Sequence, residues 1–184
     1  MDHNNFKFKV VSLNVRGIRT FEKRKAIFNW FLKQNADLCF LQETYSTEEI
    51  ENQWKAQWRG EIFFAHGSTH SRGVAILIRK GFDFKFKSSR SDEEGRYLIL
   101  EASIQDANFL LVNIYAPNVI SKQSSFFLTL SDLISEQGQS APDCKILLGG
   151  DFNVTLDPAL DCSGGNPSLK ESVKFLEDIM MKTI

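Results

Sequence analysis

No apolar run in the 184 residues approaches the roughly 18 needed to cross a bilayer. The opening stretch, Met1-Asp2-His3-Asn4-Asn5, lacks the apolar core of a secretory signal. The expected location is therefore intracellular, cytoplasmic or nuclear, with no membrane partner and no secretion. Cysteine is scarce. Cys39, Cys144 and Cys162 are odd in number and widely spaced, with no CxxC pair and no histidine at zinc spacing. That excludes a disulfide scaffold and a structural zinc site. Cys39 sits in Leu38-Cys39-Phe40-Leu41 and Cys144 precedes Ile146-Leu147-Leu148, so both read as buried, reduced thiols. An excess of one charge is missing too: 22 Lys+Arg stand against 23 Asp+Glu, a net charge of −1 with pI near 6.3. A module that grips nucleic acid through bulk charge would be strongly basic. Any such contact must come from a local patch or from a metal ion that screens phosphate. Repeats, low-complexity tracts and charged tails are likewise absent.

What is present is the material of one globular domain of ordinary size. Hydrophobic residues make up 42%, and the 16 phenylalanines fall mostly in periodic segments. A first strand is expected over Phe6–Asn14 and is broken by Gly17. A helix over Phe21–Gln34 would turn Phe21, Phe28, Phe31 and Leu32 inward. The continuous apolar run within Asp37–Gln42 reads as a strand buried on both faces. Ser46 and Glu49 read as a capping box for a helix carrying Ile50, Trp54 and Trp58.

A run of strands follows: Ile62–Ala65, Gly73–Arg79, an alternating segment through Phe82, Phe84 and Phe86, then Arg96–Ile104 and Phe109–Tyr115 as a hairpin around Asp106-Ala107-Asn108. A helix over Lys122–Gln137, a strand Lys145–Leu148 and a last helix capped by Ser168 and Glu171 complete the chain. Consecutive strands flanked by helices fit an α/β sandwich of two face-to-face sheets with helices outside.

The polar residues at the strand ends carry the chemistry. Asn14, Glu43, Tyr115, Asp151 and Asn153 each end or follow a strand, and in layered α/β folds such positions converge on one edge. Alone, each has an ordinary reading as a turn residue, a helix cap or a core tyrosine. As an ordered set they are oxygen donors, which suit a hard cation such as Mg²⁺ or Mn²⁺. A metal held this way leaves places for water and a phosphate oxygen and acts as a Lewis acid.

Leu13-Asn14-Val15-Arg16-Gly17, Leu41-Gln42-Glu43-Thr44, Asn113-Ile114-Tyr115-Ala116-Pro117-Asn118 and Gly149-Gly150-Asp151-Phe152-Asn153 occur in that order. The set resembles the successive signatures of the endonuclease/exonuclease/phosphatase superfamily. It is most similar to the apurinic-type endonuclease domain of non-LTR retrotransposons, and Ser71-Arg72-Gly73-Val74-Ala75-Ile76 adds to the likeness. The resemblance implies a DNase I-like four-layer α/β/β/α fold and a single domain over 1–184, forming its N-terminal three-quarters. It implies Mg²⁺ or Mn²⁺ held by Glu43 with Asn14 and Asp151, and Asp151 orienting or deprotonating the attacking water. Asn153 and Tyr115 would bind the scissile phosphate, with Arg16, Arg72 and Asn118 toward the nucleic acid. The implied reaction is DNA nicking by a monomer, leaving a 3′-hydroxyl that primes reverse transcription.

Two departures stand out. The family's closing Ser-Asp-His signature does not occur in these residues, and Asp161-Cys162 replaces the usual Asp-Arg. His3, His66 and His70 do not match the missing position, and His66 and His70 read as surface residues of a polar loop. The fold is therefore expected to be incomplete at its C-terminus and the activity impaired. Two rival readings are an inositol-phosphate or lipid phosphatase of the same superfamily and a non-catalytic remnant that keeps the fold as a binding surface.

Overall fold

A computed structural model describes residues 7–140, 143–154 and 174. Strand β1 (Val10–Asn14) leads through a tight loop to helix α1 (Phe21–Lys33) and strand β2 (Leu38–Gln42). Helix α2 (Glu51–Gln57) follows a single 3₁₀ turn, and strands β3 (Gly60–Ala65) and β4 (Val74–Arg79) form the next hairpin. Strands β5 (Phe84–Ser91), β6 (Tyr97–Ile104) and β7 (Ala107–Tyr115) run in succession, followed by helix α3 (Gln123–Ser140) and strand β8 (Lys145–Asp151). One sheet has the order β1-β2-β4-β3 and the other β5-β6-β7-β8.

Each sheet is mixed, with one parallel pair. β1 runs parallel to β2, with Asn14 opposite Gln42, and β7 runs parallel to β8, with Tyr115 opposite Asp151. Three apolar layers separate the elements. Phe28, Phe31, Trp54 and Trp58 pack α1 and α2 on the first sheet with Cys39, Leu41 and Leu77. Leu38, Phe40, Ile76, Leu98, Leu100 and Leu111 fill the space between the sheets. Phe127, Leu130 and Ile134 seat α3 on the second sheet against Leu110, Val112 and Ile114. The expected four-layer α/β/β/α, DNase I-like sandwich is the observed one.

Local expectations were less uniform. β1 starts at Val10 rather than Phe6, and residue 6 lies outside the described residues. In α1 the inward positions belong to Arg24, Phe28 and Phe31, while Phe21 and Leu32 are 53% and 50% exposed. Arg24 is fully buried without a carboxylate. Its guanidinium donates to the Ile18 and Arg19 carbonyls at 3.2 and 2.8 Å, bonds the Gln57 side chain, and lies 5.7 Å from the Trp54 ring centroid. A pattern search for apolar residues misses it because an arginine satisfied by carbonyls looks like a surface residue in sequence. The capping box does not form: Thr47 is the N-cap of the 3₁₀ turn and Ile50 that of α2, neither with a side-chain cap bond, and the Ser46 hydroxyl turns to Thr44 and His66 instead. The β6–β7 turn is the two-residue Gln105-Asp106, both left-handed at φ 50° and 62°, one step before the expected position. β5 begins at Phe84, runs on to Ser91 and is exposed along nearly all its length, as suits an edge strand. Cys39 is buried and Cys144 half-buried, both as free thiols. Of the expected last helix, Lys174 is described and is helical; its other residues, with the Ser168/Glu171 cap, and Asp161-Cys162 lie outside the described residues.

Polar contacts at Gln42 and Asn113 cross the apolar layer between the sheets. Gln42 and Asn113 are 1% and 0% exposed, and the Gln42 amide nitrogen donates to Asn113 Oδ1 at 2.7 Å and to Ser12 Oγ at 3.1 Å. Asn113 Nδ2 in turn donates to the Leu41 and Ala75 carbonyls of the opposite sheet at 3.0 and 2.9 Å. Removing one partner strands buried donors and acceptors. Asn113→Ala should therefore cost about 2–4 kcal/mol in urea unfolding, and the joint Gln42→Leu/Asn113→Leu change should cost less than the sum of its parts. A loss within about 0.5 kcal/mol for Asn113→Ala would remove the bridge from the stability account.

Candidate active site

The parallel pairing decides where the strand-end residues meet. In each sheet it puts two carboxyl ends side by side: Asn14 with Gln42 and Glu43, and Tyr115 with Asp151. The packed sheets then bring the two edges together. Asn14 Nδ2 donates to Glu43 Oε1 at 2.8 Å and to Asp151 Oδ2 at 2.7 Å, so one amide ties together carboxylates from the two sheets. Its oxygen accepts the Arg16 backbone N–H at 3.1 Å. The Tyr45 hydroxyl donates to Glu43 Oε2 at 3.0 Å, and the Tyr115 phenol lies near enough to interact with this carboxylate. Asp151 Oδ1 accepts the Asn153 N–H at 3.1 Å, while the Asn153 side chain donates to the Ala116 carbonyl at 2.8 Å. Beside the cluster opens a cleft of about 650 Å³, lined in part by Ser12, Asn14, Asp151 and Asn153.

The backbone around this edge is strained. Among the described residues, outside the α1 terminus and the β6–β7 turn, the left-handed non-glycine residues are Arg16, Glu43, Tyr45, Arg72 and Asn153, all at this end of the sandwich. Such conformations cost of order 1–3 kcal/mol each and persist only where surrounding contacts enforce them. Gly17, at φ 76°, leaves room for the Tyr45 ring, whose edge would lie 2.4 Å from an added Cβ. Gly150, at φ 140°, lies against the Ile114 backbone, and an added Cβ would meet that carbonyl oxygen at 2.1 Å. The Gly149-Gly150-Asp151 segment is thus the end of β8 rather than a turn, with glycine required for the close approach to β7.

The electrostatics follow from the contacts. Burial pushes the Glu43 carboxyl upward, but donors from Asn14, Tyr45 and Tyr115, with Arg16 nearby, bring it below the ordinary carboxylate range. Burial, the Glu43 carboxylate and Asp151 push the Tyr115 phenol up to about 12, against the opposing Arg96 guanidinium. Tyr115 is thus a proton-bearing hydrogen-bond donor throughout the neutral range.

Of the residues singled out from sequence, the structure joins Asn14, Glu43 and Asp151 in one hydrogen-bonded cluster, with Tyr115 beside Glu43 and Asp151 and with Asn153 and Arg16 one backbone bond away. Arg72 and Asn118 stand outside that cluster: Arg72 pairs with Glu94, and Asn118 is exposed on the loop after β7. His70 is exposed, as expected. His66 is not a plain surface residue, because its ring nitrogens engage Ser46 and Glu51, each at 3.0 Å. The sequence reading missed roles for Tyr45, Gln42, Asn113 and Arg96. A lone polar residue inside an apolar strand was the available signal for Gln42 and Asn113. Arg96, whose guanidinium lies 5.8 Å from the Tyr115 ring centroid, had none.

Two four-stranded mixed sheets packed face to face and flanked by helices are the DNase I-like class of fold. The profile of the "Endonuclease/Exonuclease/phosphatase family" matches residues 11–168, and the chain belongs to that family. It is 32% identical over 148 residues to the "Transposon TX1 uncharacterized 149 kDa protein" of Xenopus laevis, a match covering 80% of this chain and 11% of that protein. The chain thus spans about a ninth of the length of this curated relative. Among solved structures it is similar to an AP endonuclease from Archaeoglobus fulgidus, with TM-score 0.62, 19% identity, and coverage of 96% of this chain and 71% of that one. It is also similar to a mannosyl-6-phosphatase of Bacteroides thetaiotaomicron, with TM-score 0.70, 14% identity, and coverage of 94% and 71%. At these identities both likenesses are of fold.

The raised tyrosine sets an alkaline prediction. In the unfolded chain the phenol ionises near its ordinary 10.0, whereas in the folded protein Tyr115 holds its proton to about 12. The folded state then binds more protons than the unfolded one between these values, so stability is complete below the lower value and falls through the interval. Tyr115→Phe should flatten part of that decline in urea unfolding followed from about pH 9 to about pH 11.5. An unchanged slope would mean that Tyr115 ionises alike in both states.

Proposed function

We propose that this chain is a divalent-metal-dependent phosphodiesterase that nicks DNA, the endonuclease module of a non-LTR retrotransposon, acting as a monomer with residues 1–184 in one domain. The observation that carries the reading is the Asn14 amide joining Glu43 and Asp151 at 2.8 and 2.7 Å. It holds two carboxylates, the hard oxygen donors of the site, together at the mouth of an open cleft. Among the described residues no three His, Cys, Asp or Glu side chains gather at metal-binding spacing. Two carboxylates fit Mg²⁺, which is held by one or two carboxylates and keeps waters and substrate phosphate as its other ligands. Glu43 would hold Mg²⁺ or Mn²⁺, with Asn14 and Asp151 beside it. The bound ion would supply Lewis-acid stabilisation of the phosphate.

The protein's own groups supply the rest. Asp151 is fixed through both oxygens, one by Asn14 and one by the Asn153 N–H, which orients it to align a water and take its proton. Tyr115 donates its O–H to the scissile phosphate once substrate draws it from Glu43. Asn153 lies beside Asp151 for the same phosphate, and Arg16 and Asn118 flank it toward the strand. The likeness to the transposon protein and to an AP endonuclease supports DNA as substrate. The likeness to a sugar phosphatase keeps phosphomonoesters, inositol phosphates among them, as the competing substrates.

The 184 residues contain no Ser-Asp-His string, and both ring nitrogens of His66 are engaged away from the cluster. Turnover by these residues alone should therefore be slow, because a missing transition-state donor typically costs about 10²–10³ in rate. Nicking of supercoiled plasmid should require Mg²⁺ or Mn²⁺, and Glu43→Gln and Asp151→Asn should each lower it at least about 10²-fold. Mn²⁺ titration followed by electron paramagnetic resonance should show one site weakened by Glu43→Gln. Phosphate release from inositol phosphates with no plasmid nicking would overturn the nuclease reading. Metal binding indifferent to Glu43 would overturn the site itself.

A further inference from the structure

Beside the metal-type cluster, two arginines share one carboxylate. Glu94, on the turn between β5 and β6, is bonded by Arg72 Nη1 and lies 3.2 Å from Arg96 Nε. The three side chains are 62%, 32% and 18% exposed for Glu94, Arg72 and Arg96. Lys122 adds a third positive charge near this carboxylate. Asp92, whose carboxylate accepts the Arg96 N–H at 2.7 Å, and Glu93 share the turn with Glu94, so three cations face three anions here, in a chain whose overall charge is −1.

Both arginines are anchored, and both are connected to the candidate site. The Arg96 carbonyl accepts the Tyr115 N–H at 2.7 Å, its Nη1 donates to the Tyr115 carbonyl at 3.4 Å, and its guanidinium lies over the Tyr115 ring. Arg72 is left-handed at φ 63°, and its carbonyl accepts the Tyr45 N–H at 2.9 Å, two residues from Glu43. The neighbouring Gly73 N–H donates to the Gly95 carbonyl at 3.0 Å, so the two loops that present the arginines are knitted together. Two guanidiniums held this way form the kind of fork that receives an oxyanion. At present that oxyanion is the most exposed and least anchored member of the group.

We propose that Arg72 and Arg96 form a second phosphate position flanking the cleft, and that the Glu94 carboxylate fills it as a built-in phosphate mimic. A backbone phosphate next to the scissile one displaces the carboxylate into solvent. The contact is thus a mild autoinhibitory latch that favours polymeric substrates, which carry that second phosphate, over phosphomonoesters. This rests on the phosphodiesterase reading above.

The test is fluorescence anisotropy of the 184-residue chain with a labelled oligodeoxynucleotide in EDTA over a series of salt concentrations. Arg72→Gln and Arg96→Gln should each weaken binding about fivefold or more and lower the slope of log affinity against log salt by about 1. Glu94→Gln should do the opposite and tighten binding about threefold to tenfold, the scale of one exposed charge contact. That gain should vanish when Arg96→Gln is added. Circular dichroism and urea midpoints confirm that each variant is folded. If Glu94 merely props up the arginines, Glu94→Gln weakens binding or leaves it unchanged, and the latch is refuted. That result alongside plasmid nicking sensitive to Glu43→Gln would leave the hydrolase reading standing. The Glu94→Gln gain without such nicking would refute only the hydrolase reading, and no salt-dependent binding by the unaltered chain would overturn both.

Discussion

The amide–amide contact between Gln42 and Asn113 is the constraint on which the site depends. The apolar layer between the sheets is non-directional, so it tolerates small sliding of one sheet over the other. A buried pair of amides does not, because a shift would leave donors and acceptors unpaired in a dry interior. Gln42 immediately precedes Glu43, and Asn113 lies two residues before Tyr115. Fixing this one contact therefore fixes the offset between the carboxylate of one sheet and the phenol of the other. The Asn14 bridge to Glu43 and Asp151 is possible only after that offset is set.

Strain and order at the rim have the same origin. Glu43, Tyr45, Arg72 and Asn153 adopt left-handed backbones, and each is held by bonds to a different segment. Tyr45 shows how this works. Its N–H is taken by the Arg72 carbonyl, its carbonyl receives Arg19 Nη1 at 3.0 Å, its hydroxyl reaches Glu43, and its ring fills the space left by Gly17. The rim is over-determined by several chain segments at once, which is the arrangement that keeps catalytic groups in place without regular secondary structure.

Charge is distributed locally rather than globally. With nearly equal numbers of acidic and basic residues, the chain has no long-range field to steer a polyanion. Around the cleft, however, Arg16, Arg72, Arg96 and Lys122 gather near Glu43, Tyr115 and Glu94. A second cleft of about 720 Å³ is lined by Glu48, Glu51, Asp92 and Glu93 with His66. A polyanion would be repelled from that cleft, which adjoins the turn carrying Glu94 and Arg96.

The amino-acid sequence by itself determined the layer architecture and the identity of the strand-end donors. Period-two and period-3.6 patterns report burial directly, and the ordered motifs around Asn14, Glu43, Tyr115 and Asp151 mark four strand ends. Only the tertiary structure decided which side chains touch. Arg24 took the place expected for Phe21 because carbonyls from the loop before α1 happen to surround it. Ser46 left its expected capping role because Thr44 and His66 offered closer partners. Arg96 joined the site only through the pairing of β6 with β7, which lays it beside Tyr115. Burial is a property of one residue's own pattern and can be read along the chain. A hydrogen bond joins residues as far apart as Asn14 and Asp151, and its existence depends on a register that no local pattern encodes.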